Sequence, residues 1–166
     1  MLYRLVVWLL AMACLLLVAC DNFDVKVNDR VVYSPTPLFS DFSTPDPGLT
    51  SCLRQAINDG VVTQAGQLTT LDCSFAGIEN LDGLATFTGL TGLRLSANRI
   101  RNLVELNKLV SLQELYLDDN QIIDPVPLYA LPALRQVDLS GNPGLQCPRP
   151  DSFAGTTQVV LPKHCR

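Results

Sequence analysis

Four stretches of this chain carry the same spacing 22 residues apart, and that interval limits the fold more than any other feature. They begin at Leu68, Leu90, Leu112 and Leu134. Counting from each first leucine, position 4 holds Leu71, Leu93, Leu115 and Val137, and position 6 holds Cys73, Leu95, Leu117 and Leu139. Position 11 holds Ile78, Ile100 and Ile122, and position 20 holds Phe87, Leu109, Leu131 and Phe153. The phase persists into a degenerate fifth turn, where Val159 and Leu161 take positions 4 and 6. A unit this short cannot bury its own apolar columns, so neighbouring units must stack and stability becomes close to a sum over adjacent interfaces.

The pattern L-x-x-L-x-L-x-x-N-x-I-x-x-L resembles the leucine-rich repeat family, in the 22-residue bacterial form seen in internalins. The resemblance covers roughly residues 46–165 and implies an α/β solenoid. Such a leucine-rich repeat array has a short-stranded parallel sheet on its concave face and an irregular or 3-10 convex face. It also implies that Asn98, Asn120 and Asn142 at position 9 point inward, each bonding backbone groups of adjacent turns that would otherwise be buried unpaired. Ala76 breaks that column in the first repeat. Upstream, Asp46-Pro47-Gly48 opens a helix, with Asp46 as N-cap and Pro47 at the first helical position. Leu49, Cys52, Leu53, Ala56 and Ile57 share one face of it, and Gly60 stops it. The expected repeat domain is therefore 46–166, with an N-terminal cap at 46–60 and a C-terminal cap at 143–166.

The first residues have a different character. Arg4 precedes an apolar run of 15 residues from Leu5 to Ala19, short for a membrane span and suited to a secretory signal. The run ends in Leu17-Val18-Ala19-Cys20, which resembles the lipobox of bacterial lipoproteins. That resemblance implies removal of 1–19 and acylation of Cys20, with a durable membrane anchor from several acyl chains. Asp21 beside the acylated cysteine resembles the signal that retains lipoproteins at the inner membrane of enteric bacteria, with the outer membrane as the alternative. Residues 20–45 then read as anchor and spacer. In the spacer, Phe23, Val25 and Val27 alternate with polar residues, Asn28-Asp29 offers a turn, and 30–33 offers a second strand; either a small hairpin or a disordered tether fits.

Six cysteines agree with export: Cys14 leaves with the signal and Cys20 takes the lipid. Cys52, Cys73, Cys147 and Cys165 remain, an even number that allows three pairings. The solenoid implied by the resemblance sets Cys52 beside the first repeat and Cys165 beside the last, and so implies Cys52–Cys73 and Cys147–Cys165. Asn142-Pro143 followed by Cys147 and Cys165 resembles a disulfide-capped repeat end. A zinc site is the competing reading, with no C-x-x-C and His164 as the only histidine to support it.

Function follows from what the repeat leaves outside. A net charge of −4, one unit more negative without Arg4, offers no electrostatic footprint for nucleic acid. Catalysis has little to work with: His164 stands beside a cysteine and no buried carboxylate is evident to orient it. No phosphate loop is present, since Gly83, Gly89 and Gly92 read as repeat turns, and no cofactor or metal is expected. Glu114, Asp118, Asp119 and Asp138 could pair as acid and base or hold calcium, but read more simply as a solvated strand face. Side chains alternate across a strand, so positions 3, 5, 7 and 8 point away from the core. They form a candidate binding face of Asp72, Phe75, Arg94, Glu114, Tyr116, Asp118, Asp119 and Asp138, with Arg94 and Tyr116 side by side. The expectation is an interaction module for a protein or glycan partner at the bacterial cell envelope, tethered to a membrane by its lipid. A structural envelope lipoprotein without a discrete ligand is the alternative, and an enzyme is third.

Overall fold

The computed structural model describes residues 25–27, 30–33, 36–149 and 151–165. The signal, Cys20, Asp21, Phe23 and the Asn28-Asp29 turn lie outside the described residues. The described residues divide into two compact units, the first ending at Pro37 and the second beginning at Leu38. In the first, β1 (Val25–Val27) pairs antiparallel with β2 (Arg30–Tyr33), so the hairpin is formed.

The second unit is a solenoid. Strands β3 (Thr70–Asp72), β4 (Gly92–Arg94), β5 (Glu114–Tyr116), β6 (Gln136–Asp138) and β7 (Gln158–Val160) form one parallel sheet in chain order. Their register follows the repeat without a slip: Leu71, Leu93, Leu115, Val137 and Val159 stand opposite one another in turn. The degenerate fifth turn thus completes the sheet. The chain returns through short 3-10 segments, Leu84–Thr86, Val104–Lys108 and Val126–Ala130, because 22 residues leave no room for a longer helix. Each return begins on a second polar column that periodicity of leucine does not reveal. The side chains of Asn80, Asn102 and Asp124 accept the backbone N–H two residues on, at 2.8, 2.9 and 2.9 Å.

Between turns the position-9 asparagines form a ladder. Asn120 Oδ1 accepts from the N–H of Ile100 at 3.0 Å, while its Nδ2 donates to the carbonyls of Leu95 and Leu117 at 2.9 and 3.1 Å. Asn98 and Asn142 repeat this arrangement on Ile78 and Ile122. All three are buried. Ala76 now has a physical reason: each asparagine reaches back to the preceding turn, and before the first turn there is only a helix.

That helix, α1 (Pro47–Asp59), covers the open end of turn 1 with Leu49, Leu53 and Ile57. Asp46 is its N-cap, accepting from Leu49 N–H at 3.0 Å through one oxygen. The other oxygen accepts from the N–H groups of Glu79 and Asn80 at 2.9 and 3.0 Å, binding helix to repeat. Burial pushes this carboxyl up, but the N–H groups of Glu79, Leu49, Asn80 and Gly48 outweigh it and hold it below its ordinary 3.8. A carboxyl depressed in the folded state contributes stability above its unfolded value and loses it as pH falls through the folded value. Asp46→Ala should therefore cost about 1–3 kcal/mol at pH 7. The gap to the wild-type chain should narrow as thermal melts are taken from pH 5 down to pH 2. An equal gap across that range would show that the carboxylate is not what anchors the helix.

The spacer is shorter than the sequence implies, since the compact unit begins at Leu38 and not at 46. Phe39 donates its N–H to the Val62 carbonyl at 2.8 Å. Phe39 and Phe42 close edge-on against buried Phe87 at 5.8 and 5.5 Å between ring centres. The strap passes so near Gly83 that any side chain there would strike the Ser43 carbonyl. Two disulfides close the ends: Cys52–Cys73 ties α1 to the residue that follows β3, and Cys147–Cys165 ties the last turns together. Each spans roughly 20 residues of chain, worth about 3 kcal/mol in the chain-entropy account.

Candidate binding face

The strand residues of the candidate face, Asp72, Arg94, Glu114, Tyr116 and Asp138, project from one side of the parallel sheet. Asp72, Arg94, Tyr116 and Asp138 are consecutive partners across β3 to β6, and Glu114 is two residues before Tyr116 on β5. Asp72, Arg94 and Glu114 are exposed, while Tyr116, Asp118 and Asp138 are half-buried. Their inward neighbours Leu71, Leu93, Leu115 and Val137 are buried, as strand alternation requires.

Position 8 owes its outward direction to a different cause. It lies past the strand, and alternation cannot send both 7 and 8 outward. Phe75, Ala97, Asp119 and Gly141 all adopt left-handed backbone, with φ of 59, 55, 54 and 68°. Their N–H groups still join the ladder, Phe75 to Ser96, Ala97 to Asp118 and Asp119 to Ser140. At Gly141 a Cβ would meet both the backbone nitrogen and the carboxylate of Asp119, so a side chain there would force that residue to shift. Phe75 is 83% exposed. An aromatic side chain in left-handed backbone costs on the order of 1–2 kcal/mol, and here no burial offsets it.

Gly92 corrects a second expectation: it is the first residue of β4, not a turn. With no side chain between Thr70 and Glu114, it leaves a hollow of about 200 Å³ walled by Asp72, Arg94 and Tyr116. The Arg94 guanidinium lies over the Tyr116 ring, 4.0 Å from its centre, so two long side chains hold each other in place. Asp72 is held as well. Its carboxylate accepts the Ser74 hydroxyl at 2.7 Å, and that bond, the Ser74 N–H and the charge of Arg94 outweigh burial to lower its pKa. Ser96 donates its hydroxyl to Asp118 at 2.6 Å, and Ser140 its N–H to Asp138 at 2.9 Å.

A larger depression, about 640 Å³, lies on the return side between turns 1 and 2. Its charges are already engaged: Arg99 pairs with Glu79 at 3.3 Å, and Arg101 donates twice to Gln121. The small hollow on the sheet is the place where side chains are fixed and left free on one side.

At the far end, the His164 ring donates through Nε2 to the Leu145 carbonyl at 3.0 Å. The sulfurs of Cys147 and Cys165 lie within 4.8 Å of it, but they are joined to each other and cannot act as thiolate ligands. His164 thus serves the C-terminal cap. Among the described residues, no helix is long and apolar enough to cross a membrane.

A parallel sheet of five short strands, 3-10 returns, an inward asparagine ladder and capped ends define a leucine-rich repeat solenoid. Residues 110–148 match the family of leucine-rich repeats, in two copies. Two solved structures from Listeria monocytogenes are similar. An internalin (inlF) shares 28% identity at a TM-score of 0.55, over 59% of this chain and 31% of its own. Internalin C2 shares 25% identity at a TM-score of 0.62, over 70% of this chain and 54% of its own. The chain thus spans about a third and about half of their lengths. No curated protein matches it significantly. The fold is that of an internalin-like leucine-rich repeat protein.

Proposed function

We propose that this protein is a lipid-anchored interaction module of the bacterial cell envelope, binding a protein partner on its concave sheet. The observation that carries the reading is the Gly92 hollow with its stacked Arg94–Tyr116 wall, a preset pocket on the sheet. Arg and Tyr are enriched where binding energy concentrates, and fixing them before contact lowers the entropy lost on binding. The internalin-like fold supports a scaffold for protein contact in place of catalysis.

The reading is tested by affinity capture from native membranes with the lipidated protein. Arg94→Ala and Tyr116→Ala should each weaken the captured partner's binding by more than about 1 kcal/mol. Gly92→Leu should do the same by filling the hollow, since a Cβ there meets only the Thr70 methyl at an ordinary 3.5 Å. Full affinity in all three variants would move the binding surface off the concave sheet.

The anchor rests on the lipobox resemblance of Leu17-Val18-Ala19-Cys20, and Asp21 favours the periplasmic side of the inner membrane over the outer membrane. Cys20→Ala should release the protein from membrane pellets or leave it unprocessed with its signal attached. Incorporation of labelled fatty acid into that variant would refute lipidation at this site.

A further inference from the structure

We infer that the partner taken by the concave face is a cationic stretch of protein that seats an apolar side chain on Phe75. The inference rests on the proposed concave site and adds the chemistry of what fills it. Across the four regular turns, positions 3, 5, 7 and 8 hold five carboxylates, Asp72, Glu114, Asp118, Asp119 and Asp138, against one guanidinium, Arg94. That guanidinium is already committed, lying over the Tyr116 ring and beside Asp72.

Three of the carboxylates are also held in place. In Asp72, Asp118 and Asp138 one oxygen is held by Ser74, Ser96 and Ser140 respectively. Among the described residues, the second oxygen of each accepts nothing, and so remains free for an incoming ammonium or guanidinium. Like charges gathered on one concave wall raise the local concentration of a cation and repel nucleic acid and anionic lipid surfaces.

Phe75 supplies the other half of the recognition. The ladder sets position 8 of turns 1 to 3 side by side, so Phe75, Ala97 and Asp119 form a row that is apolar at one end and charged at the other. Turn 1 to turn 4 spans three strand spacings, about 14 Å, which four to five residues of extended chain would cover. The matching partner carries an apolar residue over turn 1 and lysine or arginine over turns 3 and 4.

Fluorescence anisotropy with three labelled eight-residue peptides tests this: lysine alternating with leucine, lysine with glycine, and glutamate with leucine. The lysine–leucine peptide should bind at least tenfold tighter than either other peptide, and 0.5 M salt should weaken it. Asp118→Asn, Asp119→Asn and Asp138→Asn together should lower its affinity at least tenfold; asparagine still accepts hydrogen bonds, and circular dichroism checks the fold. Phe75→Ala should reduce the lysine–leucine peptide to the level of the lysine–glycine one. Removing the same charge from the return side, by Glu79→Gln, Asp82→Asn and Glu105→Gln, should leave affinity unchanged. Equal binding of the glutamate peptide, or equal loss from the return-side variant, would overturn the inference. In membrane capture, loss of the partner in Tyr116→Ala but not in the triple asparagine variant would sink the cationic partner alone. Retention in both would sink the concave site as well.

Discussion

Leu115→Ala should lower the stability of the folded chain by about 2–5 kcal/mol in urea or thermal unfolding, while Tyr116→Ala should lower it by less than about 1 kcal/mol. Leu115 is fully buried, and its register partners Leu93 and Val137 stand on either side of it in the core. Deleting its side chain leaves a void at two turn interfaces at once, and in a solenoid each interface counts separately. Tyr116 points the other way. Its removal costs the stacking of Arg94 on its ring and the cover of a half-buried side chain, and opens no cavity in the core. The two variants should also part in function: Leu115→Ala would impair binding only as far as it unfolds the array. Equal destabilisation by both would mean that the strand faces are assigned the wrong way round.

Asn120→Ala should be nearly as damaging, at about 2–4 kcal/mol. It strands the buried N–H of Ile100 and deprives the carbonyls of Leu95, Leu117 and Asp118 of a donor. Asn120→Asp separates hydrogen bonding from volume. It fits the same space and still accepts from Ile100, but turns a carboxylate oxygen toward three carbonyls. Unfolding curves should therefore place Asp at or below Ala. A near-wild-type Asp variant would show that the residue is retained for its shape.

The repeat made the sheet legible because one interval, applied four times, sets both the strand faces and the pairing of Leu71, Leu93, Leu115, Val137 and Val159. The helix from Pro47 was legible for a separate reason, since capping residues and a helical apolar stripe coincide there. What is not legible lies where periodicity is silent. Phe39 and Phe42 sit among prolines and serines with no repeat of their own, and only the position of Phe87 explains them. Asp46 was readable as a cap, but its grip on Glu79 and Asn80 joins residues more than thirty apart. The candidate face was found by its residue types and alternation, yet its hollow depends on Gly92, which resembles a turn residue until its strand is seen.

The left-handed backbone at position 8 also bears on how such a chain would drift. Selection for stability alone would keep Gly141, where left-handed backbone and the close approach of Asp119 both disfavour a side chain. The same selection would discard Phe75 early, because glycine or asparagine adopts that backbone more readily and no core contact would be missed. One column of the repeat therefore holds two opposite kinds of constraint, one written by the fold and one that only a surviving interaction would maintain.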